Sequence, residues 1–223
     1  MMPYFMDRRD AGRQLAEKIR ARRFANPVVL ALPRGGVPVA DEIARAIGAP
    51  LDLVLVRKIG APLQPELAIG AVVDGEELEI VLNEDIIRLV GSDEAYIAQE
   101  KKRELAEIER RRGAYLGGRR PADVAGRTAI VVDDGIATGS TVRAALKALR
   151  RRGPARTVLA VAVAPPDTVA SLTEEVDEII CLGTPEDFGA ISMFYRDFRQ
   201  VSDAEVIAIL DRSHGAGDSE ESH

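Results

Sequence analysis

The chain alternates between short apolar runs and longer stretches in which apolar residues recur every three or four positions. The runs are Val28–Leu32, Leu51–Val56, Ala129–Val132, Thr157–Ala164 and Glu178–Leu182. Short runs of this kind, bounded by Gly, Pro or charged residues, predict strands buried on both faces, as in a parallel sheet. Between them, Val37, Ala40, Ile43, Ala44 and Ile47 share one face of a helix that Gly48 and Pro50 end. Val142, Ala145, Leu146 and Leu149 share one face of another, stopped by Gly153-Pro154. Ala11, Leu15 and Ile19 predict an amphipathic helix over 7–23, and Pro165-Pro166 starts a helix through about Glu174. Strands alternating with helices predict an α/β fold, a doubly wound, mainly parallel sheet with right-handed crossovers.

Other stretches break this rhythm. Gly and Pro are dense across Arg57-Lys58-Ile59-Gly60-Ala61-Pro62 and Gln64-Pro65-Glu66, which predicts a loop, followed by a short apolar piece, Leu67–Val73. Asp74–Glu77 reads as a turn and Leu78–Leu82 as a strand. A helical insertion spans about 83–118, with Ser92 as a cap ahead of Asp93 and Glu94 and with Gly117-Gly118 and Pro121 at its end. Within it, Glu100–Arg112 is almost entirely charged and of mixed sign, the pattern of a solvated helix laced with i,i+4 pairs. Thr184–Arg199 has no clean period but holds Phe188, Phe194, Tyr195 and Phe198, four of the nine Phe and Tyr residues. Such a cluster either covers a sheet edge as a satellite core or offers faces on which a planar base could stack. A short helix over Ser202–Leu210 closes the pattern. Residues 1–213 read as a single domain, and 214–223 as a polar, disordered tail.

With 223 residues, 46% hydrophobic and 30% charged, the chain can build a substantial core. A net charge of −6 argues against a general nucleic-acid binder but not against a small anionic ligand held locally. The single cysteine, Cys181, excludes an internal disulfide and sits in an apolar run as a reduced core thiol. With no signal peptide or membrane-length apolar run, the expected location is the cytoplasm. The two histidines, His214 and His223, fall in the tail, which argues against a His-based triad or metal site.

The chemistry concentrates where the strand Ala129–Val132 ends. Asp133 and Asp134 follow it, then Gly135-Ile136-Ala137-Thr138-Gly139-Ser140-Thr141, then a helix. Free N–H groups at a helix N-terminus, with Gly135 and Gly139 allowing close approach and Thr138, Ser140 and Thr141 adding hydroxyls, suit a phosphate. No Lys is present, so this is not a P-loop. Adjacent carboxylates would weaken a bare phosphate site, but they can accept hydrogen bonds from the hydroxyls of a sugar phosphate. Arg34-Gly35-Gly36, at another strand-to-helix corner, is a second candidate anion site.

Val131–Thr141 resembles the 5-phosphoribosyl-1-diphosphate (PRPP) loop of type I phosphoribosyltransferases, with its apolar run, acidic pair and Thr-Gly-x-Thr. The insertion combined with Arg57-Lys58-Ile59-Gly60-Ala61-Pro62 is similar to an uncharacterised branch of predicted members. The resemblance implies that Asp133 and Asp134 hold the ribose hydroxyls and, directly or through water, Mg²⁺. It implies that Gly135–Thr141 cradle the 5-phosphate, and that Arg34, Gly35 and Gly36 hold the diphosphate near a non-proline peptide of unusual geometry at Pro33–Arg34. It implies that Arg57 or Lys58, at the start of a mobile catalytic loop, neutralises the departing pyrophosphate. A substrate-selecting hood of about 184–210 with the N-terminal helix would place Phe188 and Tyr195 against the acceptor, a small nitrogen compound such as a nucleobase. Ala137 stands where hypoxanthine–guanine enzymes carry an acidic residue, so the resemblance points away from those two bases. The expected function is PRPP- and Mg²⁺-dependent transfer, with room for a homodimer. The alternatives are a PRPP- or nucleotide-sensing regulator and, more weakly, a sugar-phosphate hydrolase, for which no nucleophile or His base is visible.

Overall fold

The structure, a computed structural model, describes residues 4–74, 79–117 and 121–215. In chain order the elements are α1 (Arg8–Arg22), β1 (Pro27–Ala31), α2 (Gly36–Ile47), β2 (Leu51–Leu53), β3 (Val56–Ala61), β4 (Gln64–Val73), β5 (Glu79–Leu82), α3 (Glu84–Val90), α4 (Glu94–Leu116), β6 (Thr128–Asp133), α5 (Ser140–Arg151), β7 (Arg156–Val163), α6 (Pro166–Leu172), β8 (Glu178–Gly183) and α7 (Asp203–Gly215). The five strands β2-β1-β6-β7-β8 form a parallel sheet in that order, as the apolar runs predict. Both faces are covered. Val29, Ala31, Ile130 and Val132 pack with α1, α2 and α7, whereas Val28, Leu30, Ala129 and Val131 pack with α5. Double coverage explains why these strands lack polar alternation.

The stretch expected as a loop after β2 is instead a second sheet. β3, β4 and β5 form an antiparallel sheet of three strands, with Arg57 opposite Val72 and Lys58 opposite Ala71. Its faces alternate along the strand. Ile59 and Ala61 join the core beneath α4, while Val56 joins the one containing α5. Charged residues at 57 and 58 and the β-bulges around Gly60 hide this period in the sequence. The hairpin turns at Leu63, fully exposed and at φ 64°. The turn expected over 74–77 lies mostly outside the described residues.

The insertion is helical as expected, but its details differ. Asp93, not Ser92, caps α4, its carboxylate accepting from Tyr96 N at 2.6 Å. The charged stretch is not simply solvated either, because Glu104 is 2% exposed and Ile108 is fully buried. α4 packs on β3, β4 and α7. The closing helix α7 runs to Gly215, past the expected end at Leu210, through its packing on α2 and α4. The rest of the expected tail, 216–223, lies outside the described residues. None of the described helices is long and apolar enough to cross a membrane.

Candidate active site at the carboxyl edge of the sheet

β1 and β6 are parallel neighbours, with Ala31 opposite Val132, so the loops that follow them emerge side by side. Leu32 N donates to Val132 O at 2.9 Å and carries this pairing into the first loop. The Pro33–Arg34 peptide there is cis. A Cβ on Gly35 would lie 2.1 Å from Asp134 Oδ2, and one on Gly36 would lie 2.5 Å from Val132 O. Only glycine permits this approach. The fold therefore brings Arg34-Gly35-Gly36 against Asp133–Thr141, two stretches a hundred residues apart.

In the second loop, Ile136 N donates to Val163 O at 2.9 Å, which leaves that N–H spent. Gly139, at φ 75°, turns the chain into α5. Among the described residues, the N–H groups of Thr138, Gly139, Ser140 and Thr141 donate to no protein acceptor. The hydroxyls of Thr138 and Ser140 lie 3.3 Å apart beside them. Four N–H groups at the start of a twelve-residue helix form a cradle for an anion.

The two carboxylates face different surroundings. Asp133 is partly exposed, and its Oδ1 accepts from Asp134 N at 2.9 Å. Loss of surrounding water, and then the charge of Asp134, hold its carboxyl well above the usual carboxylate range. Asp134 is buried, and its Oδ2 receives Arg8 Nε at 2.6 Å. The Arg8 guanidinium lies 3.8 Å from the centre of the Phe198 ring and donates to Arg199 O at 2.7 Å. Tyr195 Oη donates to Asp134 O at 2.5 Å. Arg8 is the residue that sequence reasoning missed. It sits among charged neighbours at the start of α1, with no local signal that separates it from Arg9.

Most of the remaining candidates are in contact with other parts of the protein. Arg34 Nη1 reaches Asp203 Oδ1 at 3.4 Å, and Tyr115 Oη donates to the same oxygen at 2.6 Å. Burial first, then Asp203, pushes the Tyr115 phenol up to about 12. Arg57, expected to aim at the phosphates, donates from Nε to Glu104 Oε2 of α4 at 2.6 Å. Lys58 is its neighbour on the strand and so lies on the opposite face of β3. Tyr195 is 5% exposed, its ring packed against Phe5 and Phe198 at 5.1 and 5.0 Å between centroids. The protein thus occupies the surface expected to stack a base. Phe188 is partly exposed and tilted against Phe194 at 5.3 Å. Cys181 Sγ lies 3.1 Å from Gly183 O, and burial pushes its thiol up.

Among the described residues no group of three or more His, Cys, Asp or Glu could hold a metal ion. A cation here would depend on oxygens brought by the ligand. Asp133 fits such an ion, because a carboxylate crowded by another negative charge gains from a cation. Asp134 offers less to it, because Arg8 already takes its Oδ2.

A family model for the phosphoribosyl transferase domain matches residues 6–199. A Mycobacterium tuberculosis protein named "putative phosphoribosyl transferase" is 47% identical over 213 residues, which is 96% of this chain and 48% of the relative. The chain thus spans about half the length of the curated mycobacterial relatives it matches. The bifunctional protein PyrR of Chloroflexus aurantiacus is 35% identical over 140 residues, 58% of this chain and 66% of PyrR. The crystal structure of a Thermus thermophilus protein, 46% identical, superposes with a TM-score of 0.81 over 92% of this chain and 97% of that one.

Proposed function

Starting from a chain that belongs to the phosphoribosyl transferase family, we propose an enzyme that uses PRPP and Mg²⁺ to place a phosphoribosyl group on a small nitrogen acceptor, most simply a nucleobase. The bond from C1 of the ribose to the diphosphate oxygen breaks, a bond from C1 to the acceptor nitrogen forms, and pyrophosphate leaves. The barrier is the positive charge that develops at C1, so positioning and electrostatics carry the reaction. The N–H groups of Thr138–Thr141 hold the 5-phosphate. Asp133 accepts from the ribose hydroxyls. Arg34 and the backbone of Gly35 hold the diphosphate, with Lys58 as the further cation toward it; Gly36, whose N–H donates to Leu32 O, gives the close approach rather than a donor. When bound, Mg²⁺ neutralises diphosphate charge and keeps part of its water. Phe188 is the hood residue with exposed surface to offer the acceptor.

The supporting observation is the contact between the two glycine loops. It sets an anion cradle, a carboxylate and the Arg34-Gly35 backbone along one edge of the sheet, the Gly36 N–H being spent on Leu32 O at 3.1 Å. The test is pyrophosphate release from PRPP and Mg²⁺ with a panel of nucleobases and simple amines. Release with at least one acceptor, abolished in Asp133→Asn, is expected. Tight PRPP binding without release from any acceptor would overturn the enzyme and favour a second reading, a PRPP- or nucleotide-sensing regulator. One observation favours that reading. Arg57, a charge a transferase could use on the leaving group, is bound to Glu104 of the insertion instead.

A further inference from the structure

The helical insertion and the closing helix meet beside the Arg34 loop, and one carboxylate joins all three. Ser202 caps α7, its hydroxyl accepting from Glu205 N at 3.1 Å, which sets Asp203 in the first turn. From there Asp203 Oδ1 accepts from Tyr115 Oη of α4 at 2.6 Å and from Arg34 Nη1 at 3.4 Å. Arg110 Nη1, also of α4, stands 3.9 Å from the other carboxylate oxygen. The Tyr115 hydroxyl first, with the charges of Arg34 and Arg110 adding to it, holds the Asp203 carboxyl below its ordinary value.

These groups are not equally free to move. Tyr115 is 2% exposed and packed in the core, which fixes the position of its hydroxyl. The Arg34 and Asp203 side chains are 32% and 40% exposed, and such a pair would ordinarily exchange with water. A bond to an anchored phenol restricts the carboxylate, and the carboxylate in turn restricts the guanidinium. Among the described residues only Nη1 of the Arg34 guanidinium donates to protein, so Nε and Nη2 remain for an anion. Arg34 adjoins Gly35, which lies against Asp134, so this guanidinium leaves the chain at the edge of the site.

We infer that Asp203, anchored by Tyr115 of the insertion, is a positioning residue for Arg34: it fixes one guanidinium nitrogen and leaves the others to the diphosphate of the ligand. The identity of that ligand rests on the transferase reading, whereas the holding of Arg34 rests on geometry alone. The insertion thereby becomes part of the site, because α4 supplies the anchor. The sign of the effect separates this role from a merely electrostatic one. A carboxylate near an anion site repels the anion, so removing its charge strengthens binding unless the carboxylate holds the cation in place.

The test titrates pyrophosphate with Mg²⁺, PRPP with Mg²⁺, and ribose 5-phosphate by calorimetry. The proteins are wild type, Arg34→Gln, Asp203→Asn, Tyr115→Phe and the combination of Arg34→Gln with Asp203→Asn. Arg34→Gln should weaken pyrophosphate and PRPP about thirtyfold, the scale of a lost charge-assisted contact. Asp203→Asn should weaken both about tenfold and Tyr115→Phe about threefold, the scale of having to immobilise a long side chain on binding. Ribose 5-phosphate, which lacks the diphosphate, should bind all of them alike. The melting temperature should fall by no more than about 3 °C in Asp203→Asn, because the pair is partly exposed. The double variant should bind no more weakly than Arg34→Gln, because Asp203 acts through Arg34. Unchanged or higher pyrophosphate affinity in Asp203→Asn would overturn the positioning role, a gain showing that Asp203 competes with the ligand for Arg34. Additive losses in the double variant, or an equal loss of ribose 5-phosphate, would overturn it as well. If the wild type binds neither pyrophosphate nor PRPP, the transferase reading fails. The Arg34 Nε–Hε signal in nitrogen-15 relaxation then decides the holding by itself: order in the wild type that is lost in Asp203→Asn and Tyr115→Phe supports it, and equal order in all three overturns it.

Discussion

The donor-rich loop over 133–141 with its glycine neighbour and the hairpin with its helical insertion are built on opposite principles. The first is crowded backbone. Gly35 and Gly36 press on Asp134 and Val132 with no space for a side chain. The second is held by side chains. Arg57 meets Glu104, Tyr96 Oη donates to Gly60 O at 3.0 Å, and Tyr115 reaches Asp203. Crowded backbone has one arrangement and suits a site that must wait for its ligand in final form. Side-chain ties can exchange partners, which suits an element that answers to what is bound.

The contrast is sharpest in Gly35→Ala. Its methyl group would overlap the Asp134 carboxylate, which Arg8 prevents from moving aside. We expect a loss of about 3 kcal/mol by chemical denaturation, the upper range of overpacking, with loss of measurable PRPP binding. A folded variant that still binds PRPP normally would show that the loops are not tightly apposed.

Glu104→Ala should do less. It leaves Arg57 without its buried acceptor, but that side chain is about one-third exposed and can turn to water. About 2 kcal/mol should be lost, with faster amide exchange in β3 and β4 and the loop over 133–141 unaffected. Equal disturbance of both regions would erase the distinction between them.

Tyr115→Phe removes one hydrogen bond at the helical end of the second region and should cost about 1 kcal/mol. Its pH signature has a definite sign. The folded phenol titrates at about 12, above the value of about 10 in an unfolded chain. Its stabilisation is therefore fully present below pH 10 and is lost as the pH rises toward 12. The variant should lack the corresponding late step in ultraviolet titration of the tyrosines.

The smallest effect has the opposite sign. Gly113 lies inside α4, and a Cβ there would meet nothing within 4 Å. Gly113→Ala should stabilise the protein by about 0.5–1 kcal/mol, the helix preference of alanine over glycine. The same substitution thus tests crowding in one region and space in the other. Destabilisation at Gly113 would mean that the insertion is as tightly packed as the loops.

The sequence by itself determined the parallel sheet and marked the donor-rich loop proposed to hold phosphate. Both are local patterns: an apolar run covered on two faces is visible residue by residue, and Gly135–Thr141 carry their donors in a row. It also held the two glycines of the first loop, though not what they touch. Only tertiary structure decided that Arg57 turns to Glu104, forty-seven positions away, and that Arg8 reaches Asp134, one hundred and twenty-six positions away. It also turned Tyr195 from an expected ligand surface into a buried donor and made a sheet of the stretch read as a loop. Antiparallel pairing and ion pairs join residues distant in sequence, and a charged side chain carries no mark of the partner it will meet. Burial singles out one contact among many, because only there must a charge be compensated. That requirement exists once the chain has folded, and it assigns Asp133 and Asp134, identical in the sequence, to different surroundings.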